Sequence, residues 1–549
     1  MELQDLQPML PHLAAVSLVL WGITWRLWSS NSRTAPVYGL RYLPRFIRGF
    51  MAMVKLGVDE DGFLLDCLRT YGPIVYVPWP MAQYFVLTSP TINRLYATPQ
   101  KTLSFPPIRM AMQASVFGTS HGVAHAPWMP TDAFPVHAKG LTNLRLDEPI
   151  QRFIHAARAR VDALRQQVLD SSNGEVTIKL AEWIGDVMFD AALSGIFGPE
   201  LVRRSESFLP SHRYSLKQGH YVFDESFPLL AAEMVPSFLH RLIPPIREGL
   251  AGREAAAQTL AQWSEDGMPG LEEGLIRDVA KVYAECGASS RDIGTLLVSD
   301  LWALQANAPQ LAAALFTRVL QSPHIIQQLR KEIDDSGILN TEDGLTLKSV
   351  NEHLELGSSC VQETLRLDTS SFSIRLAQTD TMFDISNRDE SLSGDSSSAV
   401  FIPKGARVIA ATRAAHLSDS LWGPDPEEWD GERFLLKDVL NEEDRVRLKA
   451  KMLKEVRGFG GGVSMCEGRH FATAELKVIL TLVLSTFDMQ VITPTDEQEK
   501  LDKYRPIKLK GVKYGTSFAP KTQDSRPGLG ALKFAPGCDV AIRVRLRET

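Results

Sequence analysis

The sequence predicts a mainly α-helical fold with smaller β-sheets, in which one large domain follows an apolar N-terminal segment. Helix-forming stretches separated by Pro and Gly clusters run from about Pro149 to Leu365. Strand signals are few and short, and no internal repeat is visible. The 549 residues are 44% hydrophobic, 23% charged and 8% aromatic, enough for a large core and unlike a disordered or fibrous chain. Lys+Arg 59 against Asp+Glu 65 leave a net charge of -6, so no basic excess exists to hold a nucleic-acid backbone by counterion release. Nucleic acid is not an expected partner. The five cysteines, Cys67, Cys286, Cys360, Cys466 and Cys538, show no CxxC spacing, which argues against a disulfide framework or a structural zinc site.

The stretch from Leu13 to Leu27 is apolar until Arg26, and Trp21, Trp25 and Trp28 cluster at its end, as at a membrane interface. Counted from Met9 it reaches the ~17 residues of a minimal transmembrane helix. Residues 1–30 are therefore expected to form a single-pass membrane anchor, and residues 31–549 one large domain. Glu2 and Asp5 precede the segment, and Arg26, Arg33, Arg41 and Arg45 follow or close it, which orients the body toward the cytosol. A short buried core helix is the alternative.

In the body, Ile74 to Val77 and Tyr84 to Leu87 are β-favouring runs punctuated by Tyr71-Gly72-Pro73 and Ser89-Pro90, and they read as a hairpin. Further strands are expected at Phe372 to Ala377, Ala399 to Ile402, Arg407 to Ala410 and Val540 to Val544. The polar stretch Asn387 to Ser398 reads as an exposed loop. Arg291 to Leu320 reads as a long helix, in which Pro309 clashes with the carbonyl of Gln305 and opens the helix beside Ala306 and Asn307. His121 and His125 have metal-compatible spacing, but Gly122 and Pro127 favour a loop, and no role is assigned to them.

Near the C-terminus a Gly-rich loop, Phe459-Gly460-Gly461-Gly462-Val463-Ser464-Met465-Cys466-Glu467-Gly468, delivers one cysteine to the start of an apolar helical run. Backbone amides and the helix dipole at such a terminus favour a thiolate. A dinucleotide loop is excluded because Val463 stands where the third glycine belongs, and a nucleophile elbow because Cys466 ends the Gly-x-Ser pattern. A haem-thiolate loop and an inert buried cysteine remain.

Phe459-x-x-Gly462-x-x-x-Cys466-x-Gly468-Arg469-x-x-Ala472 resembles the haem-binding signature of the cytochrome P450 superfamily. The resemblance implies that Cys466 gives the axial thiolate to the iron of haem b, with Phe459, Gly462 and Gly468 shaping the loop. Ser464 departs from the pattern, since many members place Arg or His there. Glu363-Thr364-Leu365-Arg366 resembles the family's Glu-x-x-Arg helix, and Arg433-Phe434 its later Arg-Phe segment, so a Glu363, Arg366 and Arg433 network is implied. Taken alone, Glu-x-x-Arg is more often a surface ion pair. Ile402-Pro403-Lys404-Gly405 and His416 resemble the intervening strand turn and His segment. Arg375 stands where the family often directs an arginine at a haem propionate, although it equally reads as an exposed strand residue.

Leu301 to Asn307 resembles the branch that contains cholesterol 7-alpha-hydroxylase, oxysterol hydroxylases and prostacyclin synthase, as do Arg526 to Gly530 and Asp539-Val540. Most oxygenating members place an acid and a threonine at the helix opening. Here Gln305, Ala306 and Asn307 stand there, and Asn307 is the candidate hydrogen-bond donor toward bound oxygen, its alternative a locally satisfied amide. No equivalent of the family's Trp-x-x-x-Arg pair is found near Trp128 or His137. Arg445, Arg447, Lys449, Lys451, Lys454 and Arg457 form a basic run that either guides an acidic electron donor or is a solvated face.

The resemblance implies a membrane-bound monooxygenase of the endoplasmic reticulum that oxidises a hydrophobic sterol-like or terpenoid molecule with dioxygen and electrons from NADPH through cytochrome P450 reductase. The alternative is a reductase-independent isomerase or dehydratase acting on an oxygenated lipid. A non-catalytic haem-binding sensor is the third reading.

Overall fold

The computed structural model describes residues 35–40, 42–78, 81–209, 212–232, 235–339, 344–386, 399–523 and 526–548. The anchor expected at residues 1–30 and the loop expected at Asn387 to Ser398 lie outside the described residues. No helix of the described residues is long and apolar enough to cross a membrane. The described chain is mainly helical with small sheets, and its contacts group into two compact units. The first contains the residues up to Phe105 and Phe372–Ala415, the second Pro106–Ser371 and His416–Thr549.

In the first unit, β1 (Ile74–Val77) and β2 (Gln83–Val86) form an antiparallel hairpin in which Ile74 faces Val86. The Gly72-Pro73 and Ser89-Pro90 punctuation bounds it, since neither proline can donate to a ladder. Strand β3 (Thr369–Ala377) belongs to this unit from Phe372 onward, where it pairs antiparallel with β4 (Arg407–Ala411). β2 runs parallel to β4, with Val86 beside Ala410. The two-residue period sends Tyr84, Val86, Val408 and Ala410 into one apolar cluster and Phe85, Leu87, Ile409 and Ala411 into another. The second cluster is completed by Ala52, Leu56, Phe63 and Leu64 from the helices Arg45–Val58 and Glu60–Tyr71. Cys67 lies in this core, where burial pushes its thiol up to about 12.

The second unit carries the helices α1 (Phe134–Gly140), α2 (Leu180–Phe197), α3 (Leu216–Ala231), α4 (Leu275–Glu285), α5 (Ser290–Gln305), α6 (Ala308–Val319), α7 (Glu355–Leu367) and α8 (Arg469–Thr486). α3 packs on the helix Pro244–Glu265 so closely that a Cβ at Gly219 would sit 2.5 Å from the carbonyl oxygen of Gly252. Only glycine allows that approach. The strand signal at Val540 to Val544 appears as Ala541–Leu546, the centre of an antiparallel sheet between Glu175–Lys179 and Phe487–Val491.

The run Arg291 to Leu320, expected as one kinked helix, is two helices. α5 ends at Gln305 and α6 starts at Ala308, with Pro309 in its first turn. Proline suits that position because its missing N–H would lack an intrahelical partner there anyway. His121 and His125, expected in a loop, border a one-turn helix, His121–Ala124, with ring centroids 4.3 Å apart. The turn is anchored because Ser120 donates its N–H to Asp292 at 2.8 Å. No group of three or more metal-ligating side chains occurs among the described residues.

Candidate functional site

The loop before α8 is a succession of tight turns. Gly460 N–H donates to Arg457 O at 2.9 Å, Met465 N–H to Gly462 O at 3.2 Å, and Cys466 N–H back to Phe459 O at 2.9 Å. Gly460 and Gly462 take φ of 70° and 57°, the left-handed region that side chains with a Cβ avoid. Gly468 caps α8, so Cys466 stands two residues before the cap. Its side chain is exposed, whereas Cys67 and Cys360 are buried and Cys286 and Cys538 are partly covered.

The accessible Cys466 thiol is nevertheless raised above its ordinary pKa, first by desolvation, with Glu467 and Glu475 adding to it. The hydrogen bond from Gly468 N–H and the charge of Arg469 pull the other way without prevailing. Desolvation opposes ionisation here, and a positive partner beside the sulfur would favour it.

Glu363 and Arg366, three residues apart on α7, are both fully buried. Arg366 binds the carboxylate through two bonds, Nε to Oε2 at 2.8 Å and Nη2 to Oε1 at 2.7 Å. Arg433 Nε donates to Oε1 at 2.8 Å, and the Asp430 N–H reaches the same oxygen at 3.2 Å. Arg366 Nη1 also donates to the carbonyls of His416 and Pro426 at 2.9 and 2.6 Å. Two cations on one carboxylate leave a net positive charge, which these carbonyls help to satisfy.

The network reaches the cysteine loop through a residue that the sequence marked only by position. His416 accepts the Arg457 N–H on Nε2 at 2.9 Å, and Ser371 Oγ donates to Gly458 O at 3.1 Å. Arg457, read as the end of a basic run, is buried and paired with Glu455 at 2.8 Å. Most of the run lies on the exposed helix Glu442–Glu455, where Arg445 pairs with Glu442, Arg447 with Asp444, and Lys449 with Glu355. These acids offset much of its positive charge.

At the α5–α6 break, Asn307 Oδ1 accepts the N–H of Ala531 at 2.8 Å, in the short strand β5 (Leu529–Ala531), which pairs with residues 369–371 of β3. Gln305 is buried and donates to Phe189 O on α2 at 3.0 Å, and Ala306 is buried. Ala303, one turn earlier, is exposed, in contrast to its buried helix neighbours Leu301 and Gln305. Beside it, Trp302 stacks on Phe227 of α3 with centroids 3.9 Å apart. Trp302 Nε1 donates to Asp224 at 3.0 Å, and Arg526 and Lys533 bind the same carboxylate at 2.8 and 3.0 Å. Burial opposes ionisation of Asp224, but the two cations prevail and hold its pKa at about 2.

Arg375 lies in the first unit, buried, with its guanidinium over the rings of Phe105 and Tyr96 at 5.4 and 6.0 Å. Burial lowers its pKa. Sequence reasoning missed Arg109, which pairs with Glu467 at 3.1 Å, next to the cysteine, and covers the Phe134 ring at 4.1 Å. No local pattern marks that pair, whose partners are 358 residues apart.

The family model described as Cytochrome P450 matches residues 308–514, a span that contains the Glu363 network and the cysteine loop. A cytochrome P450 monooxygenase of Gibberella zeae is 24% identical over 477 residues, covering 85% of this chain and 83% of that protein. Cytochrome P450 7B1 of Mus musculus is 23% identical, covering 82% and 85%. The 7-alpha-hydroxycholest-4-en-3-one 12-alpha-hydroxylase of Homo sapiens is 25% identical, covering 66% and 65%. Together with the cysteine loop and the buried network, these matches lead to one conclusion: residues 308–514 match the cytochrome P450 family, and the chain is similar over most of its length to cytochrome P450 monooxygenases.

Proposed function

We propose that the chain inserts one oxygen atom into a hydrophobic sterol-like or terpenoid molecule, using dioxygen and electrons from NADPH delivered by cytochrome P450 reductase. The single observation that carries this reading is Cys466, an accessible thiol on a glycine-shaped loop tied down by the buried Glu363 network. The residues present fit haem b: Cys466 would hold it through its sulfur, on a loop whose two left-handed glycines keep side chains from its turns. When bound, haem supplies dioxygen activation, and the thiolate's electron donation favours oxygen–oxygen cleavage.

The chain's own residues do the rest. Glu363, Arg366, Arg433 and His416 fix the loop, and Cys466 provides the sulfur. The exposed Ala303 leaves room for a ligand beside α5. Trp302 beside it is partly covered and is backed by the buried rings of Phe227 and Phe117, the latter 5.9 Å away, so this helix face is supported by aromatic side chains. The sterol class follows the name of one relative, the 7-alpha-hydroxycholest-4-en-3-one 12-alpha-hydroxylase. Attachment to the endoplasmic reticulum through residues 1–30, with the catalytic domain in the cytosol, belongs to the same proposal.

The test is incubation of membranes holding the full chain with a panel of sterols and terpenoids, with and without NADPH, followed by mass spectrometry. A gain of one oxygen only with NADPH is expected, and its loss in Cys466→Ala together with loss of the reduced, carbon-monoxide-treated pigment. Full-rate conversion of a lipid peroxide without NADPH or reductase would overturn the reading in favour of an isomerase or dehydratase.

A further inference from the structure

Oxygenation consumes two protons, yet the α5–α6 break offers no titratable side chain: Ala306 is apolar, and the Asn307 amide neither takes up nor gives up a proton at neutral pH. The nearest acid upstream on α5 is Asp300, three residues before the exposed Ala303 and therefore its neighbour on the helix surface. Asp300 Oδ1 lies 2.9 Å from Nε2 of His137, on α1. The other ring nitrogen, Nδ1, lies 3.0 Å from the carbonyl oxygen of Ala133. His137 is buried, and Tyr283 OH on α4 stands 3.5 Å from Nε2.

Hydrogen-bond accounting restricts what this pair can be. A carbonyl oxygen only accepts, so Nδ1 carries a hydrogen. Nε2 then faces a carboxyl oxygen, and two lone pairs 2.9 Å apart would repel. Either Nε2 is also protonated and His137 is an imidazolium beside a carboxylate, or Asp300 is protonated and donates to Nε2. Both forms hold one exchangeable proton between the two side chains. Asp300 Oδ2 is buried and has no hydrogen-bond partner among the described residues. Such an orphaned oxygen calls for an explanation.

The surroundings are mixed in charge. Asp300, Arg109 from the helix Pro106–Ser115 and Glu467 from the cysteine loop all act by charge on Tyr283, which stands beside His137. Burial pushes the Tyr283 phenol well above its ordinary value, so it stays neutral.

We propose that His137 and Asp300 hold and hand over the protons that oxygenation consumes, Asp300 turning its free oxygen about χ2 toward the open face of α5 at Ala303. This rests on the monooxygenase reading. In the balanced reaction a C–H substrate, dioxygen, two electrons from NADPH through the reductase and two protons give an alcohol and water. The oxygen–oxygen bond breaks, one oxygen enters the C–H bond, and the other leaves as water with both protons. The pair passes the protons one at a time and is refilled from solvent. His137 and Asp300 are positioning residues for this transfer, at the face where the ligand is proposed to lie.

The test uses the haem-loaded full chain with reductase, NADPH and 7-alpha-hydroxycholest-4-en-3-one as probe. Asp300→Asn and His137→Gln are expected to keep consuming NADPH while product formed per NADPH falls about tenfold or more, the difference appearing as hydrogen peroxide. The pH profile and the solvent deuterium effect on product formation should change with it. Independently of turnover, nitrogen-15 NMR of histidine-labelled wild type should show no bare Nε2 on His137 at pH 7 other than one accepting the Asp300 proton. The two substitutions lie on separate helices, so if one variant fails to take up haem the other decides. A bare Nε2 beside an ionised Asp300, or unchanged coupling in the variant that folds, would reduce the pair to a tie between α1 and α5 and overturn the proposal alone. A wild type that consumes no NADPH with reductase would overturn the monooxygenase reading, and this proposal with it.

Discussion

His416 joins two parts of the second unit: its carbonyl accepts from Arg366 at 2.9 Å, and its ring Nε2 accepts from the Arg457 N–H at the mouth of the cysteine loop at 2.9 Å. The carbonyl is available whatever the side chain, but the ring nitrogen is not. Replacing His416 with Phe keeps the volume and strands the Arg457 N–H in a buried place, at a cost of about 1–3 kcal/mol. The expected result is a lower Tm and a smaller haem-loaded fraction, read from the carbon-monoxide difference spectrum, with Arg366 contacts intact.

Glu363 presents the more severe case. Glu363→Gln removes the carboxylate that Arg366 and Arg433 share and leaves their two guanidiniums facing a neutral amide. Breaking a buried pair in this way costs about 3–5 kcal/mol. Recovery of soluble haem-loaded protein should fall far below that of His416→Phe, and equal recovery of the two variants would contradict the network's central role.

At the α5–α6 break two substitutions separate contact from shape. Asn307→Ala deletes the acceptor of the Ala531 N–H and should cost about 1–3 kcal/mol at most, because part of that strand remains reachable by water. Gly530→Ala should cost more, since its Cβ would lie 2.1 Å from Asn307 Oδ1 and its backbone has φ of +106°. Thermal unfolding of the two variants checks the order.

The Asp224 cluster predicts an acid window. The folded pKa of Asp224 is held at about 2, below its ordinary 3.8, so its contribution is complete above pH 4 and disappears as pH falls toward 2. His220, buried nearby, is lowered from 6.5 to about 4 by desolvation, so its neutral form also supports the fold above pH 6.5 and withdraws that support between 6.5 and 4. Stability should therefore decline in two stages on acidification. His220→Gln should remove the upper stage and leave the lower one, as followed by urea unfolding at a series of pH values.

How much of this was legible depended on distance along the chain. Cys466, Glu363, Arg366 and Arg433 stand in short spaced patterns, and the hairpin Ile74–Val77 with Gln83–Val86 is bracketed by Gly72-Pro73 and Ser89-Pro90, so local chemistry pointed to them. The partner of Asn307 lies 224 residues away, and that of His137 lies 163 away. No periodicity records such pairings. Arg457 was misplaced for a different reason: five cations precede it on an exposed helix, but the chain turns inward after Glu455, and the last cation of the run goes inside.

The gap between Gln305 and Ala308 has one further consequence. Around it the backbone has already given up part of its helical ladder to Pro309, so a change of side-chain size at Ala306 meets a joint and not a continuous rod. Libraries aimed at altering which carbon is attacked would do best to vary Ala303 and Ala306, and to leave Gly219 and Gly252 alone, where two main chains touch and nothing can yield.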